Sequence, residues 1–326
     1  MKVLVTGASG FLGSHIAEQF AAGGHEVRLL LRPTSSRAFL QFPYEVTTGD
    51  VTDPESLTRA AAGLDAIVHA AGLIKARNEM QFDAVNTRGT QNLIAAVDAA
   101  APEIKRFVYI SSLAAHGPSE GGSPRPLEAP ARPLTAYGRT KLAGENLTRV
   151  SRLRDRAVIF RMPVIYGPRD AALLPFFRLA RLRLAPLLMG GHNRISILYV
   201  EDAARAVVQA TTAEAQVAGK TYCPEDGLTY TWRDLLGAIE DAAGHRALRI
   251  RAPRWAFSGA ALVSEAFGLV TRRAVALTRE KVREMAQESW VCSSETLRRD
   301  LGWSARVQVP EGTRLTYDWY RQNRWL

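Results

Sequence analysis

Hydrophobic residues in the first half of the chain fall into short, largely unbroken runs: 2–6, 27–31, 44–48, 66–69, 105–111 and 156–162. Runs of that length predict strands, and their lack of strict alternation predicts burial on both faces of a parallel sheet. Between them, 14–22, 54–62, 79–100 and 134–151 carry apolar positions at helical spacing. Strand and helix therefore alternate to about residue 165, as in a sheet covered by helices on both sides. Asp53 precedes Pro54 and is the predicted N-cap of its helix. The texture then changes. Residues 165–191 are irregular, apolar and rich in Arg, and 195–211 read as a strand and helix returning to the first layer. Beyond 219 come short pieces: a strand near Thr221, a helix over 231–243, an apolar segment 255–270, a helix near 279–288 and an aromatic tail, Tyr317 to Tyr320. The expected organisation is one domain from 1–165 plus about 195–215, and a smaller discontinuous one from about 166–194 plus 216–326.

Glycines at the first strand–helix junction give this pattern a chemistry. Gly7, Gly10 and Gly13 bracket the loop that also holds Phe11 and Leu12. In a βαβ unit the first glycine permits the tight turn, the second lets backbone approach a pyrophosphate, and the third lets the helix pack on the sheet. The free N–H groups of the helix start then face the anion. A dinucleotide-binding Rossmann fold follows: α/β, a doubly wound parallel sheet, with a smaller discontinuous substrate-binding part. The second strand ends on Arg32, with Ser35, Ser36 and Arg37 behind it and no acid in place for a ribose 2′-hydroxyl. That selects NADP(H) over NAD(H). Asp50 and Val51 stand where an adenine edge is read, and the small residues Ala70, Ala71 and Gly72 let backbone lie against a ligand. His69 is read as structural. These positions, with Ser111 and Ser112, all fall at the C-terminal ends of strands, where such sheets bind ligands.

Tyr137 and Lys141 are four residues apart on a predicted helix and share one face. A cation close to a phenol lowers its pKa, so the pair is a candidate acid/base unit, with Lys141 as the group that lowers it. The same spacing also describes an ordinary packed pair.

Composition narrows the partners. The formal charge is +10, from 42 Lys and Arg against 32 Asp and Glu, yet no five like charges run together. A nucleic-acid tail is therefore not indicated. The excess suits an anionic cofactor or substrate, a loose peripheral contact with an acidic membrane, or plain surface Arg. The two cysteines, Cys223 and Cys292, lack metal-ligand spacing, so no metal is expected. Free thiols and an N-terminus without a signal-peptide pattern read as cytoplasmic. The apolar segment is of marginal length for a membrane span.

Together TGASGFLG (6–13), GDVTD (49–53), HAAG (69–72), YISS (109–112), YGRTK (137–141), RMPVIYGPRD (161–170) and YVEDAARA (199–206) resemble the extended short-chain dehydrogenases/reductases of the NAD-dependent epimerase/dehydratase type. The resemblance covers nearly the whole chain. It implies that Tyr137 and Lys141 are catalytic and that Ser112, five residues before Gly117, is the substrate-binding hydroxyl. Pro163 and Ile165, in the RMPVIYGPRD segment, join the cofactor-binding set. Lys141 is implied to bond the nicotinamide ribose, Asn86 to hold a nearby loop or touch the site, and the chain to form a homodimer. The sequence departs from the sugar-nucleotide branch: Val164 replaces its substrate-binding Asn, and Ile195 and Ser196 stand in place of its Arg-Asp pair. The pattern is more similar to 3β-hydroxysteroid dehydrogenases and dihydroflavonol-type reductases. The leading expectation is an NADP(H)-dependent oxidoreductase acting on a small, apolar sterol-, triterpenoid- or lipid-like molecule. In that reading the stretches 176–188 and 255–270 wall the pocket, or else serve as core and dimer packing. The alternatives are a nucleotide-sugar epimerase, dehydratase or reductase, and a non-catalytic NADP(H)-binding subunit.

Overall fold

A computed structural model describes residues 1–275 and 277–326. The runs of the first half form parallel strands: β1 (Lys2–Thr6), β2 (Glu26–Leu31), β3 (Glu45–Thr48), β4 (Ala66–His69), β5 (Arg106–Ser112) and β6 (Ala157–Met162). Between them lie the helices α1 (Phe11–Ala22), α2 (Pro54–Ala61), α3 (Glu79–Phe82), α4 (Gly89–Ala100), α5 (Leu113–His116) and α6 (Ala136–Val150). The second half contributes β7 (Val164–Tyr166), α7 (Leu174–Arg181), β8 (Leu184–Leu188), β9 (Arg194–Ile195), β10 (Ile197–Tyr199), α8 (Val200–Thr212), β11 (Thr221–Tyr222) and β12 (Tyr230–Thr231). It ends with α9 (Trp232–Ala243), β13 (Leu248–Ala252), α10 (Arg254–Thr271), α11 (Arg279–Met285), β14 (Ser289–Trp290), α12 (Glu295–Leu301) and α13 (Val309–Gln322).

The main sheet has the order β11-β6-β5-β4-β1-β2-β3, all parallel. The order reverses beside β1, so the crevice of this Rossmann sheet opens between the ends of β1 and β4. One apolar layer, with Ile16, Phe20, Val207 and Trp303, covers one face, and a second, with Leu57, Leu93 and Val97, covers the other. The return to this sheet runs further than the expected 195–215, because Thr221–Tyr222 pairs with Ile159–Phe160 as its outer strand.

Two helices and one apolar segment differ from their sequence reading. The predicted single helix over 79–100 is interrupted: residues Asp83–Arg88 form a π-helical turn between α3 and α4. An extra residue per turn re-aims side chains, and such turns gather at functional sites. Asp53 sits at the start of α2, but its side chain caps nothing; its carbonyl accepts instead from the Ser56 hydroxyl at 2.8 Å. Within 176–188 the core alternative holds for Phe177, Ala180, Ala185 and Leu187: Phe177 is fully buried among Leu174, Leu235 and Tyr320, and β8 pairs with β13, while Leu182 is exposed. The segment 255–270 is neither core nor an enclosed wall, since α10 carries Trp255, Val263, Leu269 and Val270 exposed. Cys223 and Cys292 are buried and unlinked.

Candidate active site

The glycine loop is shaped by contact. Gly7 has φ +73°, and a Cβ there would lie 2.7 Å from the backbone of Ala70 and Ala71; a Cβ on Gly13 would lie 2.2 Å from the Gly7 carbonyl. No side chain fits either position, so the loop, the 70–72 turn and the α1 start are pressed together by the absence of side chains. Gly10, Phe11 and Leu12 keep partial or full exposure at the α1 N-terminus, and no acid lies in its first turn. Arg169 adds charge to this end. Held at φ 73°, it donates to the Ser14 hydroxyl at 3.2 Å and to Glu18 at 2.8 Å, with its guanidinium over the Phe39 ring. Arg169 was not anticipated from sequence, although it lies inside the 161–170 motif.

At the end of β2, Arg32 is exposed and its guanidinium lies 3.9 Å from Asp50. The Asp50 carboxylate also accepts from the Thr52 N–H and hydroxyl, both at 2.8 Å, which fixes the turn. Arg37 is exposed beyond it. Val51 is a core residue whose carbonyl accepts from Asn92 at 3.1 Å. Pro163 and Ile165 follow β6, half-buried.

Below the 70–72 turn runs a hydrogen-bond chain with forced directions. The Ala71 N–H donates to the Thr6 hydroxyl (3.2 Å), which donates to His69 Nδ1 (2.7 Å). His69 Nε2 then donates to the Thr90 hydroxyl (3.0 Å), which donates to the Asn86 carbonyl (2.7 Å). Burial, with the nearby Lys141 charge, holds His69 neutral with its pKa down to about 3. His69 is thus a strut. Asn86 resolves the same way: its side chain brackets Leu73, accepting from N–H at 2.7 Å and donating to C=O at 3.1 Å, and also donates to Thr140 at 3.2 Å. It ties the turn after β4 to α6.

On α6 the Thr135 hydroxyl caps the helix by accepting from the Gly138 N–H, and the Ala136 N–H donates to Glu280 of α11 at 2.8 Å. Gly138 and Gly144 admit the close approach, since Cβ atoms there would lie 2.4 Å from the Ala114 carbonyl and 2.1 Å from the Tyr109 hydroxyl. Tyr137 and Ser112 meet. Burial pushes the Tyr137 phenol up to about 12, the Ser112 hydrogen bond pulls it down, and Glu284 pushes it up. The net shift at Tyr137 is upward, where the spacing predicted a lowered pKa, because desolvation dominates there; the Lys141 ammonium lies 4.6 Å over the Tyr109 ring. Lys141 is itself buried, its pKa lowered to about 8 by desolvation, with Glu145 opposing. The adjacent Ser111 faces away and donates to Glu145 at 2.6 Å.

A network behind the pair escaped the sequence reading. Arg161 donates to Glu145 through Nε and Nη2 (2.9 Å for the latter), and both are buried. Arg161 has no acceptor, so His116 Nδ1 accepts from it at 2.7 Å and His116 Nε2 donates to the Pro126 carbonyl at 2.9 Å. Burial would raise Glu145, but Arg161 and Ser111 hold its carboxyl below the usual range. Signals existed: Glu145 continues the Tyr137–Lys141 face by four residues, and Arg161 interrupts an apolar strand.

The sequence model of the NAD dependent epimerase/dehydratase family matches residues 3–223. A ceramide reductase of Caulobacter vibrioides (strain NA1000 / CB15N) is 32% identical over 326 residues, covering 99% of this chain and 96% of the relative. A 2-alkyl-3-oxoalkanoate reductase of Stenotrophomonas maltophilia (strain K279a) is 30% identical, covering 96% and 98%. Among solved structures, the UDP-glucose 4-epimerase of Thermus thermophilus, in complex with NAD, superposes with a TM-score of 0.78 at 26% identity over 98% of this chain and 99% of that one.

Proposed function

Because the chain belongs to the NAD dependent epimerase/dehydratase family, a group of extended short-chain dehydrogenases/reductases, we propose that it is an NADP(H)-dependent reductase of a ketone carried on an apolar, acyl-chain-bearing molecule. The observation that carries this reading is the Ser112–Tyr137 hydroxyl pair beside the buried Lys141. The glycine cradle fits a dinucleotide, since the positions that would crowd it lack side chains. Gly7, Gly10, Phe11, Leu12 and Gly13 would take the pyrophosphate; Arg32 and Arg37 the 2′-phosphate; Asp50 and Val51 the adenine side; Ala70, Ala71, Gly72, Lys141, Pro163 and Ile165 the nicotinamide half. When bound, the nicotinamide supplies the hydride.

The chain's own residues then handle the proton and the charge. Ser112 donates a hydrogen bond to the carbonyl oxygen, and Tyr137 gives its phenolic proton to that oxygen as negative charge develops there. A phenol held near 12 is protonated at neutral pH, the state that reduction requires. Lys141, charged below about 8, offsets the phenolate as it forms.

Ile195 is buried, and the Ser196 hydroxyl is occupied by the Cys292 backbone, accepting from its N–H at 3.1 Å. Neither offers a polar contact for a nucleoside diphosphate. The names of the two reductase relatives point to lipid-like ketones. The test is a panel of long-chain 3-oxo lipids with NADPH and NADH, read by absorbance and product mass. Turnover with NADPH that Tyr137→Phe abolishes supports the reading. No turnover, with UDP or dTDP raising the melting temperature, transfers the chain to the nucleotide-sugar alternative suggested by the UDP-glucose 4-epimerase likeness. NADPH binding with neither response would make it a binding subunit.

A further inference from the structure

The longest helix of the second part presents an apolar face to solvent. On α10, Trp255, Leu262 and Leu269 recur every seventh residue, with Val263, Phe267 and Val270 alongside; their exposures run from 56% to 85%. At about 100° per residue these positions and the exposed Gly259, Ala260 and Ala266 fill one arc of about 180°. No charged or polar residue interrupts it. The opposite side is anchored: Ala261 is fully buried, and Glu265 binds Arg279 of α11 at 2.8 Å. A continuous exposed apolar face of this kind marks an interaction surface.

Charge identifies what covers it. Residues 246–275 hold six arginines and one acid, a net +5 of the chain's +10. Arg246 and Arg249 precede the helix in the chain and are partly neutralised by Glu240 and Asp241 of α9. Arg272 and Arg273 leave its end exposed and make no ion pair among the described residues. In β13, the strand that precedes the helix, Leu248 and Ile250 are also exposed. Apolar side chains on one face with basic residues at both ends form the pattern of a helix lying in a bilayer interface, anchored by anionic headgroups. No helix among the described residues is long and apolar enough to cross a membrane.

We infer that α10 and its flanking arginines dock the protein on an anionic lipid bilayer. Docking places the lipid beside the cleft, because α11, on which α10 packs, supplies Glu280 to Ala136 and Arg139 at the start of the Tyr137 helix. The inference goes beyond the ketone reading and is read without turnover, so either can fail alone. The full chain is sedimented with phosphatidylglycerol or phosphatidylcholine vesicles, alongside Leu262→Glu/Leu269→Glu and Arg272→Glu/Arg273→Glu. Melting temperature and NADPH affinity serve as folding controls. Expected are binding to phosphatidylglycerol that weakens with salt, and a loss of about tenfold or more in the Leu variant. The Arg variant should lose binding to anionic vesicles specifically. The proposal is overturned by no vesicle binding, by equal binding of the folded Leu variant, or by a dimer that the Leu variant dissociates, which would make a second copy the occupant.

Discussion

Replacing Lys141 by Met should make the protein more stable and inactive. The ammonium is buried between α6 and the Tyr109 ring, and its pKa falls from 10.5 to about 8. That fall means that the folded environment disfavours the charged form by about 3 kcal/mol. The direction with pH follows from proton counts. Below about 8 both folded and unfolded Lys141 carry the proton, and the full desolvation cost is felt. Between about 8 and 10.5 the unfolded chain holds the proton and the folded chain does not, so wild-type stability rises with pH across that window. Met removes the charge and fills a similar volume. The variant should therefore exceed wild type by about 2–4 kcal/mol near pH 7, a large share of a typical 5–15 kcal/mol total. The gap should narrow steadily toward pH 10.5. Glu145 remains paired with Arg161 in the variant, so no second charge is orphaned. Urea denaturation of both proteins at pH 7, 8, 9 and 10.5 measures the gap, and other titrations cancel in the difference. A Met variant no more stable at pH 7, or a gap indifferent to pH, would refute the argument.

Other outcomes follow from the same geometry. Glu145→Gln should cost about 3–5 kcal/mol by leaving Arg161 charged and unpaired, while the Glu145→Leu/Arg161→Met double variant should cost less than the sum of its singles by at least ~2 kcal/mol in a denaturation cycle; additivity would sink this. Glu145 titrates below its usual range in the fold, so its contribution should be complete above the ordinary carboxylate pKa and fade as acid carries the pH through the lower folded value. Arg32→Ala should weaken NADPH by about 10–100-fold and leave NADH nearly unchanged, measured by fluorescence titration; equal losses for both would contradict the phosphate role. Gly13→Ala drives a Cβ to 2.2 Å from the Gly7 carbonyl, so it should abolish dinucleotide binding or prevent folding, and a variant that binds and melts like wild type would show that the loop yields.

The parts legible in the sequence were those whose signal is local. Val27 to Leu31 announces a strand because burial on both faces demands an unbroken apolar run, and Gly7, Gly10 and Gly13 announce the loop because only backbone fits there. The six-strand core of the sheet followed from the apolar runs, and the pairing of Tyr137 with Ser112 from the family resemblance. Asn86 could not be assigned, because nothing in its neighbours' periodicity encodes the π-turn that aims it at Leu73. The Glu145–Arg161 pair joins residues sixteen positions apart on different elements, so no local spacing announces it. The direction of the Tyr137 shift was not legible: spacing brings two groups to one face, but burial decides which way each pKa moves. For 255–270 the composition was plain and the exposure was not, since whether an apolar helix is covered depends on the rest of the fold.

The π-turn also acts as a gauge of chain length. If one residue between Asp83 and Arg88 were deleted, the wide turn would relax to α-helix with α3 and α4 still in phase, and the loss would fall on the side chains that the bulge aims. Asn86 would then swing off Leu73, while Thr90, on the far side of the turn, would stay beneath His69. The residue count of this segment is therefore under stricter constraint than the identity of most residues in it. A chain with conservative substitutions across 79–88 that spare Asn86 would keep the clamp between the β4 turn and the Tyr137 helix, and a chain one residue shorter would lose it.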